Sequence, residues 1–359
     1  MDTYSNQNID ISGSWPENGL ELVEVCPVCE SKERVKLYEG LKDRIFWCAP
    51  GEWTLWKCLG CGSAYLNPRP NKESIYLAYT SYSTHESSYN KPLAELGLWR
   101  YFRRSTANGY RNFMHKTNLH PSSFLGIALA FFPSQRNKID WRFCNLDKNF
   151  PSGQKLLDVG CGNGDFLYFA KSTGRDVIGV DMDPKAVLVA QNKGLNVKLG
   201  GVDVLNPDEE EFDIITLGHV IEHVHNPVNL LRQCYRLLKK NGYIWIDTPN
   251  IESEGHRIYG INWTLLDPPR HLALFSYNSL RKILEDVGFS NIQDQPYRPL
   301  CKDIYPTSEA ISKGKEDAIN IKIKSSSDLC KKNIKRAGKI ERENPNVREC
   351  ITIKAWKID

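Results

Sequence analysis

Three glycines at alternate positions, Gly160, Gly162 and Gly164, follow the apolar run Leu156-Leu-Asp-Val159, and a second apolar run, Val177-Ile-Gly-Val180, ends in Asp181. This stretch constrains the fold more than any other. Two short apolar runs separated by one helical length predict a strand, a helix and a second, parallel strand. Closely spaced glycines let the connecting backbone turn tightly and approach a ligand at the carboxyl edge of the sheet. The acid that ends the second strand is placed to accept hydrogen bonds from ribose hydroxyls. A nucleoside-bearing cofactor is the expectation.

A dinucleotide fold wants Gly-x-Gly-x-x-Gly, with a pyrophosphate on the helix N-terminus. Here the third glycine comes one residue early, and Asp158 and Asp165 flank the loop. Two carboxylates repel a pyrophosphate and suit a ligand that carries an ammonium group. The stretch resembles motif I of the class I S-adenosylmethionine-dependent methyltransferases, whose cofactor carries a sulfonium and an α-amino group.

The chain has 359 residues, enough for two or three domains, and its net charge of +4 gives no strong nucleic-acid signal. Met1–Gly19 is polar and lacks the apolar core of a signal peptide. The longest apolar run, Phe124–Phe132, is too short to cross a bilayer. It reads as a buried helix, with contact to a membrane surface or a greasy acceptor as the alternative. The protein is expected to be cytoplasmic.

Eleven cysteines are unevenly placed, and four of them form the pairs Cys26-Pro-Val-Cys29 and Cys58-Leu-Gly-Cys61. This is not a disulfide framework; without an export signal it points to a reducing compartment and a metal site. Two Cys-x-x-Cys knuckles offer four thiolates to one ion, the arrangement that zinc favours. With every position filled by protein, the ion is structural and replaces a core that about forty residues cannot supply. Cys48 is a spare thiol that the pattern leaves unassigned. Tyr76, Tyr79, Tyr82 and His85 follow, either as an aromatic core over the zinc ribbon or as a platform for a sugar or base.

From Glu86 to Lys148 the pattern is helical, with Arg100, Arg103, Arg104 and Arg111 near helical spacing. They read as a solvated or bridging face, with a grip on a phosphorylated acceptor as the sharper alternative. From Gln154 strands alternate with helices: Lys155–Val159, Asp176–Val180, Val197–Leu199, Phe212–Leu217 and Tyr243–Asp247 are strands, and Glu349–Trp356 alternates as a last strand should. The helix Pro227–Leu238 is expected to end on Lys239-Lys-Asn-Gly242, with cations in the last turn and glycine beyond.

Several further motifs carry the resemblance. Ile178–Pro184 looks like motif II; the family gives Asp181 to the ribose hydroxyls and Met182 to the adenine face. Asp203 matches the acid that meets the adenine amino group. Ile214–Pro227 looks like the motif after strand four, which puts Gly218 and His219 beside the methionine moiety. The family also implies that the last strand inserts antiparallel between its neighbours. The cysteine module, Leu66-Asn-Pro-Arg-Pro70 and the segment 268–276 together resemble a bacterial subgroup that carries an N-terminal zinc-binding domain. Its members often act on sugars in surface-polysaccharide or antibiotic pathways.

The expected architecture is α/β: a seven-stranded Rossmann-like methyltransferase sheet preceded by a small zinc-ribbon domain and a helical linker. The divisions fall at 20–70 for the zinc module, 71–150 for the linker and 151–359 for the methyltransferase domain. An acceptor hydroxyl or carbon must lose a proton, and histidine suits that near neutral pH. His223 with its neighbour Glu222, His271 behind two prolines, and His85 from the linker are the candidates; His225 reads as a solvent-facing turn residue. The segment 301–347 interrupts the sheet with a basic insertion, read as an exposed helix face, with contact to acceptor phosphate or an anionic membrane as the alternative. The acceptor is expected to be a small molecule, such as a nucleotide sugar, and not a nucleic acid. An RNA or protein methyltransferase, and a non-catalytic adenosyl-binding scaffold, are the competing readings.

Overall fold

The computed structural model describes residues 13–79, 97–140, 143, 145–146, 153–315 and 326–358. Its largest sheet has seven strands: β1 (Lys155–Val159), β2 (Asp176–Asp181), β3 (Asn196–Leu199), β4 (Phe212–Gly218), β5 (Leu238–Pro249), β6 (Ser290–Asp294) and β7 (Cys350–Trp356). They lie in the order β3-β2-β1-β4-β5-β7-β6. β1 pairs in parallel with both β2 and β4, and β2 with β3. The order reverses at β1 and β4, the switch point where such sheets take ligands.

The last strand does insert antiparallel. Lys357 N donates to the Gly242 carbonyl at one end of β5, and Asn250 N donates to the Glu349 carbonyl at the other, so residue numbers run in opposite directions. β1 and β4 are buried on both faces, as strands under helices on two sides must be. The following elements obey local chemistry. Asp183 caps the helix Pro184–Asn192 by accepting from Lys185 N, and Ser276 caps Tyr277–Val287 by accepting from Ser279 N.

One helix end departs from the sequence expectation. The helix after β4 stops at Leu237, and β5 begins at Leu238, so Lys239 and Lys240 lie in a strand and Gly242 is not a cap. Lys239 instead pairs with Asp213 at 2.9 Å. A tertiary ion pair and sheet pairing outweigh the local helix-stop signal. β6 was not legible in the sequence; Ser-Asn-Ile-Gln-Asp on an edge is mostly exposed and has no apolar alternation to reveal it.

The chain divides into two compact units. One consists of Met1–Tyr82, Gly218–Tyr235 and Ile246–Ala355; the other of Ser83–Leu217, Arg236–Trp245 and Trp356–Asp359. The first holds a four-stranded sheet in the order 273–274, 64–66, 53–58, 34–41. Its edge strand Ala273–Leu274 comes from the segment that follows β5 and pairs antiparallel with Ala64 and Tyr65. Trp15, Trp53, Leu55, Leu66, Trp263 and Leu274 form its core. In the second unit the core is Leu156, Phe169, Val177, Val197, Ile214 and Tyr243, joined by Leu119 and Phe143.

The helical region of the second unit contains Leu98–His115, the 3-10 segment Phe124–Phe131 and Pro133–Asp140. Arg111 is buried there over the Phe169 ring and bonded to Asn108, so it does not share a solvent face with Arg100 and Arg103. The insertion after β6 forms the helices Cys301–Ser312 and Asp328–Glu343. On the second, Lys331, Lys332, Lys335 and Arg336 are exposed while Cys330, Ile334 and Ala337 are buried, as expected of an amphipathic surface helix.

Candidate functional site

The glycine loop joins β1 to the helix Asp165–Ser172. Gly160, Gly162 and Gly164 all take positive φ (68°, 52° and 76°), which a side chain resists. At Gly164 an added Cβ would also run into Leu195, whereas the space beside Gly162 is open. The loop is tied to the end of β2: Gly160 N and Cys161 N both donate to the Val180 carbonyl. Asp181 then holds the loop through its carboxylate, which accepts from Gly162 N at 2.7 Å and from Asp183 N at 2.9 Å.

Asp158, next to last in β1, has a buried carboxylate that accepts from the Thr216 hydroxyl at 2.6 Å. Burial pushes its pKa up to about 7; the Thr216 bond opposes this and the Asp181 charge adds to it. Such a group is relieved by a cationic ligand. Asp165 does not share that task, because Lys193 pairs with it at 2.7 Å. Met182 and Asp203 stand exposed after β2 and β3, where a base could reach them. The open side of Gly162, the strained acid at Asp158 and the acid at Asp181 fit an adenosyl group with an α-amino terminus.

The first unit carries a second constellation after β4. Gly218 is exposed, and His219 adopts φ 55°, uncommon for a residue with a side chain. The His219 ring lies 3.2 Å from Glu222 Oε1 and 3.4 Å from Asp247 Oδ2. The side chain is 48% exposed, so its burial opposes the charge only in part, and the bonds to Asp247 and Glu222 prevail and push its pKa up to about 10. Glu222, fully buried, also accepts from the Thr248 hydroxyl at 2.9 Å; burial raises its pKa, but the His219 bond and the neighbouring histidine charges prevail and hold it at about 2. Asp247 accepts further bonds from Arg298 and Thr352 and is held below the usual carboxylate range.

His223 and His271 pack edge to face with ring centroids 4.7 Å apart. His223 Nδ1 is 3.0 Å from the Arg270 carbonyl and 3.0 Å from the Tyr79 hydroxyl. His271 Nδ1 is 2.8 Å from the Leu265 carbonyl. A carbonyl only accepts, so Nδ1 is the donor in each ring, and His271 Nε2 lies 3.9 Å from an Asp267 carboxylate oxygen. Burial, then repulsion from His271, push the His223 pKa down to about 4. His223 is therefore held neutral beside the His271 ring. His225 is not solvent-facing: its Nε2 is 3.0 Å from the Pro70 carbonyl, and burial lowers its pKa. His85 and Tyr82 lie outside the described residues.

The four cysteines converge. The pairing Arg34↔Cys58 sets one knuckle beside the other. Both knuckles use one backbone pattern: Cys26 N and Cys58 N donate to the carbonyls of Ser31 and Ser63, while Glu30 N and Gly62 N return to the cysteine carbonyls. Glu30 and Gly62 close the turns with φ 62° and 77°. The Cys26 and Cys61 sulfurs are 3.8 Å apart, and those of Cys29 and Cys58 3.5 Å. Tetrahedral zinc with bonds of about 2.3 Å spaces its thiolates by about 3.8 Å. The four residues fit that ion.

Three side chains of the first unit take parts that the sequence reading did not assign them. Arg270 is fully buried, pairs with Asp43 at 2.7 Å and with Asp267 at 2.6 Å, and covers the Phe46 ring. Its carbonyl is the acceptor that fixes the His223 tautomer. Tyr79 was visible only as part of an aromatic cluster, and Asp43 as one polar residue between the knuckles. Cys48 lies buried against this group, its thiol donating to the Ala78 carbonyl.

A family of methyltransferase domains matches residues 136–294. The ubiquinone biosynthesis O-methyltransferase of Glaesserella parasuis is 33% identical over 188 residues, covering 47% of this chain and 80% of that protein. The chain is an S-adenosylmethionine-dependent methyltransferase. The enzyme of the same name from Pseudomonas savastanoi is 33% identical over 179 residues, or 44% of this methyltransferase and 75% of the relative. A crystal structure of an S-adenosylmethionine-dependent methyltransferase from Archaeoglobus fulgidus covers 66% of the present chain and 100% of its own at 22% identity, with a TM-score of 0.42.

Proposed function

We propose that this methyltransferase methylates a hydroxyl of a small molecule, with a sugar, nucleotide-linked or bound for a surface polysaccharide, as the acceptor class. The observation that carries the reading is the packed pair His223–His271, with His223 held neutral by burial and a buried Glu222 beside it. The O-methyltransferase names of the relatives support an oxygen acceptor. Their names also favour a second acceptor class, a hydroxylated precursor in ubiquinone biosynthesis.

In this reading Asp181 takes the ribose hydroxyls, Asp158 the α-amino group, Met182 and Asp203 the adenine, and Gly218 and His219 the methionine end. When bound, the sulfonium supplies a methyl group for in-line displacement: its carbon–sulfur bond breaks as a carbon–oxygen bond forms. The chain's own residues align the hydroxyl and take its proton. The proton passes to Nε2 of one ring of the pair. Cys26, Cys29, Cys58 and Cys61 hold a structural zinc ion, and the four thiolates suit a reducing cytoplasm. Along the chain we divide the protein into 20–70, 71–150 and 151–359, with the insertion at 301–347.

The test is incubation of the zinc-loaded enzyme and S-adenosylmethionine with nucleotide sugars and, separately, with hydroxylated quinone precursors, read by product mass. One added methyl on a sugar supports the proposal; turnover of the quinone precursors alone selects the second class.

A further inference from the structure

The helical region of the second unit exposes an apolar surface that its own packing does not use. The helix Leu98–His115 and the segment Phe124–Phe131 are locked face to face. A Cβ on Gly109 would strike Ser123, and one on Gly126 would strike Thr106 and Tyr110, so the two backbones touch where only glycine fits. Asn108 and Asn112 bond across to the carbonyls of Pro121 and Leu119. With the inner faces satisfied in this way, large apolar side chains remain outside. Leu98 is 91% exposed, Trp99 68%, Phe124 92% and Phe131 82%; Phe102, Phe113, Leu125 and Phe132 are exposed as well. Trp99 and Phe102 stack on each other at 6.0 Å in solvent. A monomer seldom leaves such a set uncovered without use.

The charge around it selects the occupant. From Gly97 to Ile139 there is no Asp or Glu, while Arg100, Arg103, Arg104, Arg111, Lys116, Arg136 and Lys138 all fall there. At the chain's average of 43 acids in 359 residues, a stretch of this length would carry about five. Arg100, Arg103, Lys116 and Arg136 are exposed. A second copy of this surface would meet its own positive charge. A nucleic acid would use the arginines but leave Leu98, Leu125 and Phe131 in water. No described helix is long and apolar enough to cross a membrane. Aromatic and aliphatic side chains beside arginines, on a short element, match a segment that lies in the headgroup layer.

We propose that residues 97–132 dock this enzyme on the surface of an anionic lipid bilayer. Trp99, Phe102, Phe124 and Phe131 enter the headgroup boundary, and Arg100 and Arg103 meet the lipid phosphates. The inference is independent of the acceptor. It gives a reason for exposed aromatic groups that neither the glycine loop nor the histidine pair requires.

The experiment is co-sedimentation of the full chain with vesicles of phosphatidylglycerol and phosphatidylcholine in equal parts, and with vesicles of phosphatidylcholine alone. The expected result is binding to the anionic vesicles only, weakened by salt. Arg100→Gln and Arg103→Gln should each reduce partitioning about fivefold. The double variant Trp99→Ser/Phe131→Ser should abolish it while its S-adenosylmethionine affinity, measured by calorimetry, stays that of the wild type. Failure of the wild type to bind anionic vesicles at physiological salt overturns the proposal. So does a concentration-dependent dimer that Trp99→Ser dissociates, which would assign the surface to self-association, or retention on RNA in place of vesicles.

Discussion

Arg270, in the loop after β5, holds Asp43 of the cysteine module at 2.7 Å, and neither side chain is exposed. Asp267 completes the charge balance from the other side of the guanidinium. Burial alone would raise the Asp43 carboxyl, but the Arg270 guanidinium overrides it and holds the group near about 2. The same residue's carbonyl accepts the His223 Nδ1 proton. The cysteine module is thus bonded to the residue that sets the histidine's tautomer.

Asp43→Asn should destabilise the protein by about 3–5 kcal/mol, because it leaves a buried cation short of one counter-charge. Denaturant unfolding at neutral pH measures this. The pH dependence has a definite sign. The folded pKa lies below that of the unfolded chain, near 3.9, so this contribution is present above about pH 4 and fades as pH falls toward about 2. The wild type should lose its advantage over Asp43→Asn across that window.

His223→Asn and His271→Asn should each lower kcat by about 10²–10⁴-fold while leaving S-adenosylmethionine affinity intact. Steady-state rates beside calorimetry separate the two effects. The depressed pKa of His223, about 4, means its contribution to stability is present above the unfolded value and is lost as pH falls toward 4. An unfolding series from pH 7 to 4 should show the wild type weakening in that range and His223→Asn weakening less.

His219 should titrate at the opposite extreme. With Asp247 and Glu222 raising its pKa to about 10, the ring stays protonated at pH 8. Its stabilising charge is complete below the ordinary histidine value and is lost as pH rises through about 10. Histidine-resolved NMR should show this, and Asp247→Asn should return the titration toward the ordinary range.

The cysteine site should hold one zinc ion per chain. Metal release by a thiol-reactive mercurial, followed with a colorimetric chelator, should yield one equivalent from the wild type and less from Cys58→Ser. Loss of the ion should also lower the melting temperature, because the four sulfurs join the two knuckles.

Much of this was readable from residue types and spacing. The glycine loop and the strand that ends in Asp181 announce themselves, because positive-φ turns demand glycine locally. The antiparallel last strand was readable through the family resemblance. The Asp43–Arg270 pair was not, since 227 positions separate two ordinary charged residues and nothing local marks either as buried. The strand Ala273–Leu274 hid for a related reason: two residues have no periodicity, and their role comes from Ala64 and Tyr65 far earlier in the chain. His225 misled because polar neighbours suggest a turn, while its Pro70 partner is a tertiary fact.

The most direct test of the account is calorimetric titration of the zinc-loaded protein with S-adenosylmethionine, with Asp181→Ala beside the wild type and NADH as the control ligand. The account predicts binding of S-adenosylmethionine, no binding of NADH, and about tenfold weaker affinity in the variant for each ribose hydrogen bond lost. Equal affinity in Asp181→Ala, or binding of NADH in place of S-adenosylmethionine, would contradict it.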